Sequence, residues 1–117
     1  MPTIQGQPAT VPELVVAKEL DRLEIGYQFQ SSFLGGTTQR GGLVADFYLP
    51  SHSTIISVLG EYWHSSPESI ARDITQKIAI LSQGITTIFI REEDALKRPR
   101  YFVEQALLGN DLSGVKL

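Results

Sequence analysis

The segment Gly42 to His64, GLVADFYLPSHSTIISVLGEYWH, constrains the fold most, because two apolar runs rich in Val, Ile, Phe and Tyr bracket a cluster of turn formers. Leu43 to Leu49 and Thr54 to Leu59 read as strands, and Pro50, Ser51, His52 and Ser53 as the turn of an antiparallel hairpin. With the turn centred on Ser51 and His52, Asp46 falls opposite Ser57, and Val44, Asp46, Tyr48, Ile55, Ser57 and Leu59 share one face. Asp46 is the anomaly. A carboxylate inside a β run disfavours the strand and is costly to bury unless something pairs with it or is coordinated by it, which makes Asp46 a candidate ligand. Immediately after the second strand come Gly60 and then Glu61-Tyr62-Trp63-His64, an acid, two aromatics and an imidazole where the chain should leave the sheet.

At 117 residues the chain fits a single domain with its own core. Without cysteine it has neither a disulfide framework nor a thiolate metal site, which suits a reducing compartment. No apolar stretch approaches the roughly 20 residues that span a bilayer, so a cytoplasmic protein is expected, with no membrane partner. The formal charge of −3 argues against a nucleic-acid coat protein but not against a nuclease with its cations on one face.

Residues 1–9 lack a period and read as an extended, flexible arm. Thr10 then opens a helix as its cap, with Pro12 in the first turn and Glu13 as the capping-box partner. Val16, Leu20 and Leu23 form its apolar stripe, and Gly26 is the expected stop. Alternation from Tyr27 to Phe33 predicts a strand, followed by a glycine-rich loop, residues 34–42, that matches no phosphate-binding motif but carries Arg40 as a candidate phosphate contact. Ser66 and Pro67 start a second helix with the stripe Ile70, Ile74, Ile78 and Leu81, with Lys77 on its polar side and Gly84 at its end. Ile85 to Ile90 predicts a buried strand, parallel to a hairpin strand through a right-handed crossover. Arg91 to Asp94 reads as a charged turn, and Pro99 to Leu108 as a last helix with Phe102, Ala106 and Leu107 inward. Lys97, Arg98 and Arg100 form a basic cluster suited to backbone phosphates.

The order helix, three strands, helix, strand, helix describes an α/β, three-layer-type sandwich with a mixed four-stranded sheet flanked by helices. Three places resemble the PD-(D/E)XK restriction-endonuclease-like superfamily, most closely its very-short-patch-repair endonuclease-like branch. Ala45-Asp46-Phe47 is similar to the branch's P-D-F strand, with Ala45 in place of proline. Gly60-Glu61-Tyr62-Trp63-His64 is similar to its G-x-F-W-H signature, and Arg72-Asp73-Ile74 with Leu81 and Gly84 resembles its R-D-to-glycine segment before the last strand.

The resemblance implies a Mg²⁺- or Mn²⁺-dependent DNA endonuclease, with a homodimer as one allowed arrangement. Asp46 would be the metal-binding aspartate, Glu13 the supporting first-helix glutamate, and His64 the imidazole acting on the attacking water or leaving group. The wider superfamily places an acid and a lysine in a strand pattern where this chain has Ser57-Val58-Leu59. The patch-repair branch lacks that acid and uses a main-chain carbonyl, which falls at Val58 here. Glu61 is the acid that would substitute, although straight strand geometry carries it roughly 13 Å beyond Ser57. Tyr62 and Trp63 suit stacking on bases, and Arg40, Lys77 and Arg98 suit DNA contact. The rival expectation is the same fold without catalysis, serving as a DNA-binding or assembly protein.

Overall fold

The computed structural model describes residues 2–33, 43–59 and 83–114, with backbone only for 31–33 and 43–46. The chain opens on a small hairpin, β1 (Thr3–Ile4) against β2 (Gln7–Pro8). Its two-residue loop places Gln5 at φ 50° and Gly6 at φ 81°, the double left-handed turn that matches the twist of antiparallel strands. Residues 2–9 thus do more than the flexible arm expected of them. Ile4 and Ala9 are buried in the core, and the Gln5 carboxamide donates to the Tyr27 carbonyl at 2.9 Å and accepts from the Phe29 N–H at 2.8 Å. Strands of two residues are too short to show a period, which is why the sequence does not announce them.

Helix α1 (Val11–Arg22) begins as expected, with Thr10 as N-cap and the complete capping box. Val16, Ala17 and Leu20 are buried, and Leu23 packs partly against them. The helix closes earlier than Gly26. Glu24 takes the left-handed position at φ 58°, its N–H reaches Asp21 O at 3.0 Å, and the Ile25 N–H returns to Leu20 O at 2.9 Å.

Four strands follow: β3 (Gln28–Phe33), β4 (Leu43–Leu49), β5 (Thr54–Leu59) and β6 (Thr86–Arg91), in spatial order β3-β4-β5-β6. β3, β4 and β5 are antiparallel neighbours and β6 runs parallel to β5, so the sheet is mixed, as the sequence predicts. A 3₁₀ turn, Pro50–His52, joins β4 to β5 and ends on a left-handed Ser53. The hairpin register is the predicted one, with Phe47↔Ile56, Tyr48↔Ile55 and Leu49↔Thr54.

Phe29, Phe47, Leu49, Ile56, Ile88 and Ile90 line one face of the sheet and share a core cluster with Val16, Ala17 and Leu20 of α1. Tyr27 and Phe29 both place their rings against Phe47, at 5.4 and 5.1 Å between centroids. On the alternate positions Ile55, Leu59 and Phe89 are also buried, outside that cluster. A sheet buried on both faces belongs to a layered α/β sandwich. The helix expected from Ser66 to Leu81 lies outside the described residues.

The chain from Arg91 onward differs from the charged turn expected there. Glu92–Lys97 is a short helix, α2, whose first turn holds Glu92, Glu93 and Asp94, a placement favoured by the helix dipole. Helix α3 (Pro99–Leu107) follows, burying Val103 and Ala106, with Phe102 and Leu107 packed partly against the same core. The segment after α3 returns along β6: the Phe89 N–H donates to Asp111 Oδ2 at 2.9 Å, and Arg91 Nε donates to the Ser113 carbonyl at 2.7 Å. Among the described residues no helix is long and apolar enough to cross a membrane.

Candidate active site

The pairing of β4 with β5 spans Phe47↔Ile56 to Leu49↔Thr54. Beyond Phe47, β4 continues with β3 as far as Leu43↔Phe33, whereas beyond Ile56, β5 continues with β6 as far as Leu59↔Arg91. Among the described pairings, the two central strands therefore part at the next register positions, which are Asp46 and Ser57. The sequence places these two opposite each other, and the observed register carries them to the mouth of the fork. The backbone beside Asp46 is also unusual: Gln30, between the pairs Phe29↔Phe47 and Ser31↔Ala45, has φ 58° in mid-strand. Non-glycine residues rarely adopt that conformation, and it tends to gather at functional positions.

Ser57 is half-buried, its neighbour Val58 packs partly against the core, and Leu59 is buried at 4% exposure. The position that the sequence resemblance aligns with a lysine is thus a packed apolar side chain. Glu13 stands at the start of α1, where its Oε1 accepts from the Thr10 N–H at 2.9 Å while Thr10 Oγ1 accepts from the Glu13 N–H at 3.3 Å. Those bonds give Glu13 a structural task in the helix layer that covers the Phe47 face of the sheet. The Asp46 position alternates with Phe47 along β4 and so belongs to the opposite face. Among the described residues, no group of three or more Asp, Glu or His side chains is arranged to hold a metal ion.

Several residues singled out by the sequence, Arg40, Glu61, Tyr62, Trp63, His64 and Lys77, lie outside the described residues. The other histidine, His52, is exposed in the hairpin turn, where its Nδ1 is 2.9 Å from Ser51 Oγ. Arg98 is exposed at the α2–α3 junction with its guanidinium 4.3 Å from the centroid of the Tyr101 ring. Tyr101 is an aromatic that sequence reasoning missed. Its signal was the three-residue spacing from Arg98, which a helix start turns into contact. Arg100, from the same basic cluster, approaches Glu19 of α1 at 3.8 Å, and Arg22 bonds the same carboxylate oxygen at 2.9 Å.

No family model matches the chain, and no curated protein does. Among solved structures, the chain is similar to the catalytic domain of the homing endonuclease I-Bth0305I, at 21% identity and a TM-score of 0.61. The likeness covers 86% of this chain and 97% of that one. At that identity it establishes the fold: a compact α/β domain on a mixed four-stranded sheet, in an architecture that a homing endonuclease catalytic domain also adopts.

Proposed function

We propose that the chain is a Mg²⁺- or Mn²⁺-dependent DNA endonuclease of the PD-(D/E)XK type, akin to the very-short-patch-repair branch and selective for a mismatched or branched duplex. The observation that carries this reading is the position of Asp46, a strand carboxylate at the point where the two central strands part, in a fold shared with a nuclease catalytic domain. A hard dication, when bound, would neutralise charge on the scissile phosphate and lower the pKa of a bound water. Its oxygen ligands in this chain would be Asp46 and the Val58 carbonyl, while Glu13 serves the helix cap in the layer over the opposite face of the sheet. His64 would transfer the proton as general base or acid, the task to which an imidazole is suited. Glu61 would stand in for the acid missing at Ser57. Tyr62 and Trp63 would stack on bases, and Arg40, Lys77 and Arg98 would contact the phosphate backbone.

A second reading, a nuclease fold that binds DNA or scaffolds an assembly without cutting, is favoured by one observation. Leu59 is buried and apolar where a catalytic lysine would stand. Nicking of supercoiled and branched DNA with Mg²⁺ or Mn²⁺ separates the two. Asp46→Ala should abolish cleavage while leaving the melting temperature unchanged or higher, because it removes a strand carboxylate and no apolar volume. Equal cleavage by mutant and parent would remove Asp46 from the site, and no cleavage by the parent would favour the scaffold.

A further inference from the structure

The junction of α2 and α3 gathers positive charge in a helical layer that is otherwise acidic. Residues 97–101, Lys-Arg-Pro-Arg-Tyr, hold three cations and no acid in a chain whose formal charge is −3. The junction between α2 and α3 turns Lys97, Arg98 and Arg100 outward, all exposed, and stacks Arg98 over Tyr101, which is itself exposed. A guanidinium held over an aromatic ring loses part of its freedom, and its fork of donors suits phosphate oxygens. Arg100 and Arg22 flank the single carboxylate of Glu19 at 3.8 and 2.9 Å, so α1 and α3 present two cations for one anion along the same ridge. The Arg100 side chain remains 66% exposed and that of Arg22 41% exposed. Several arginines spread over two helices, with an aromatic among them, fit a polyanion with repeated phosphates better than a single carboxylate ligand.

We propose that this ridge, Arg22, Lys97, Arg98, Arg100 and Tyr101, is a non-catalytic contact surface for the phosphate backbone of duplex DNA, separate from the fork at Asp46. It lies in the layer that covers the Phe47 face, whereas the Asp46 position belongs to the other face of the sheet. The ridge therefore holds duplex outside the cleaved stretch and sets affinity rather than chemistry. That duplex DNA is the partner rests on the nuclease reading; the clustering of charge does not.

The test is the salt dependence of binding to a fluorescently labelled duplex, by anisotropy in EDTA, over roughly 50 to 200 mM salt. The parent should bind with a steep slope of log affinity against log salt. The Lys97→Gln/Arg98→Gln/Arg100→Gln variant should lose about two to three units of that slope, because each phosphate contact contributes about 0.9. Circular dichroism checks the fold. Should the triple variant not fold, Arg98→Gln alone, at a helix cap with no side-chain capping bond, should lose about one unit. An unchanged slope in a folded variant overturns the ridge, as does a parent that binds no duplex. Loss of slope in a parent that cuts no DNA upholds the ridge and sinks the nuclease reading. An unchanged slope together with cleavage that depends on Asp46 does the reverse.

Discussion

Single residues in this protein are placed by local chemistry that the fold then exploits. Tyr27 leads into β3 with its ring edge-on to Phe47, and burial, helped by the negative charge of Asp21, raises its phenol pKa above the usual 10.0. The neutral phenol is the form the fold prefers. Its contribution to stability is complete below the unfolded-state value near 10 and is lost as pH rises through the higher folded-state value. Tyr27→Phe keeps the ring and cannot ionise, and the Gln5 bond survives because it goes to the main-chain carbonyl of Tyr27. The parent should therefore lose more melting temperature than the variant between pH 8 and pH 11, as read by circular dichroism. Equal losses would show that the Tyr27 ring does not feel its burial. Thr10 and Glu13 show the same locality. Their capping box is legible in the sequence because both partners lie within four residues, and the structure contains both of its bonds. Glu24 shows where local reading stops: Gly26 looks like the stop, yet the left-handed position falls on a glutamate because the Ile25 N–H must return to Leu20 O.

At the scale of elements, the central hairpin was readable next to its turn, whereas the parting of its strands beyond Phe47 and Ile56 was not. Its strands, turn and register follow from alternation around Pro50–His52, and three observed pairs coincide with the predicted register. The protection of the sheet edges was not readable, because it depends on partners more than twenty residues apart. At the β3 edge, the Gln5 carboxamide spans the Tyr27 carbonyl and the Phe29 N–H as a neighbouring peptide group would. At the β6 edge, Asp111 accepts from the Phe89 N–H through Oδ2, and from the Ser113 N–H and hydroxyl through Oδ1. Unprotected edge strands invite pairing with other chains, so both devices have a purpose beyond their bonds. Asp111→Ala would leave the Phe89 N–H and the Ser113 donors without this acceptor, and hydrogen bonds to a charged group contribute roughly 1.5–3 kcal/mol. Urea unfolding should register a loss of about 2–4 kcal/mol, and hydrogen exchange at the Phe89 amide should accelerate. A loss below about 0.5 kcal/mol, the scale of an ordinary surface change, would mean that the segment does not secure the edge.

For the whole molecule, fold and chemistry were legible to different depths. Periodicity marks α1 and the four strands of the main sheet, and the parallel placement of β6 beside β5 agrees with the crossover expected from the sequence. A site instead depends on where a few polar side chains converge. The structure takes Asp46 to the fork but ties Glu13 into its helix cap and fills the Leu59 slot with apolar packing. On the endonuclease reading proposed above, catalysis would lean on residues beyond β5, and His64 and Glu61 offer two distinct routes. If His64 moves the proton, His64→Ala should lower turnover by roughly 10²-fold or more, the usual scale of general acid-base catalysis, with little change in DNA affinity. Glu61→Gln should then matter less, since it alters neither the imidazole nor Asp46. If Glu61 instead supplies the acid missing from β5, Glu61→Gln should lose Mn²⁺ binding in calorimetry, while His64→Ala still binds the ion. Metal binding unchanged in both variants, together with a parent that cuts no DNA, would show that this sheet and its helices serve as a binding scaffold.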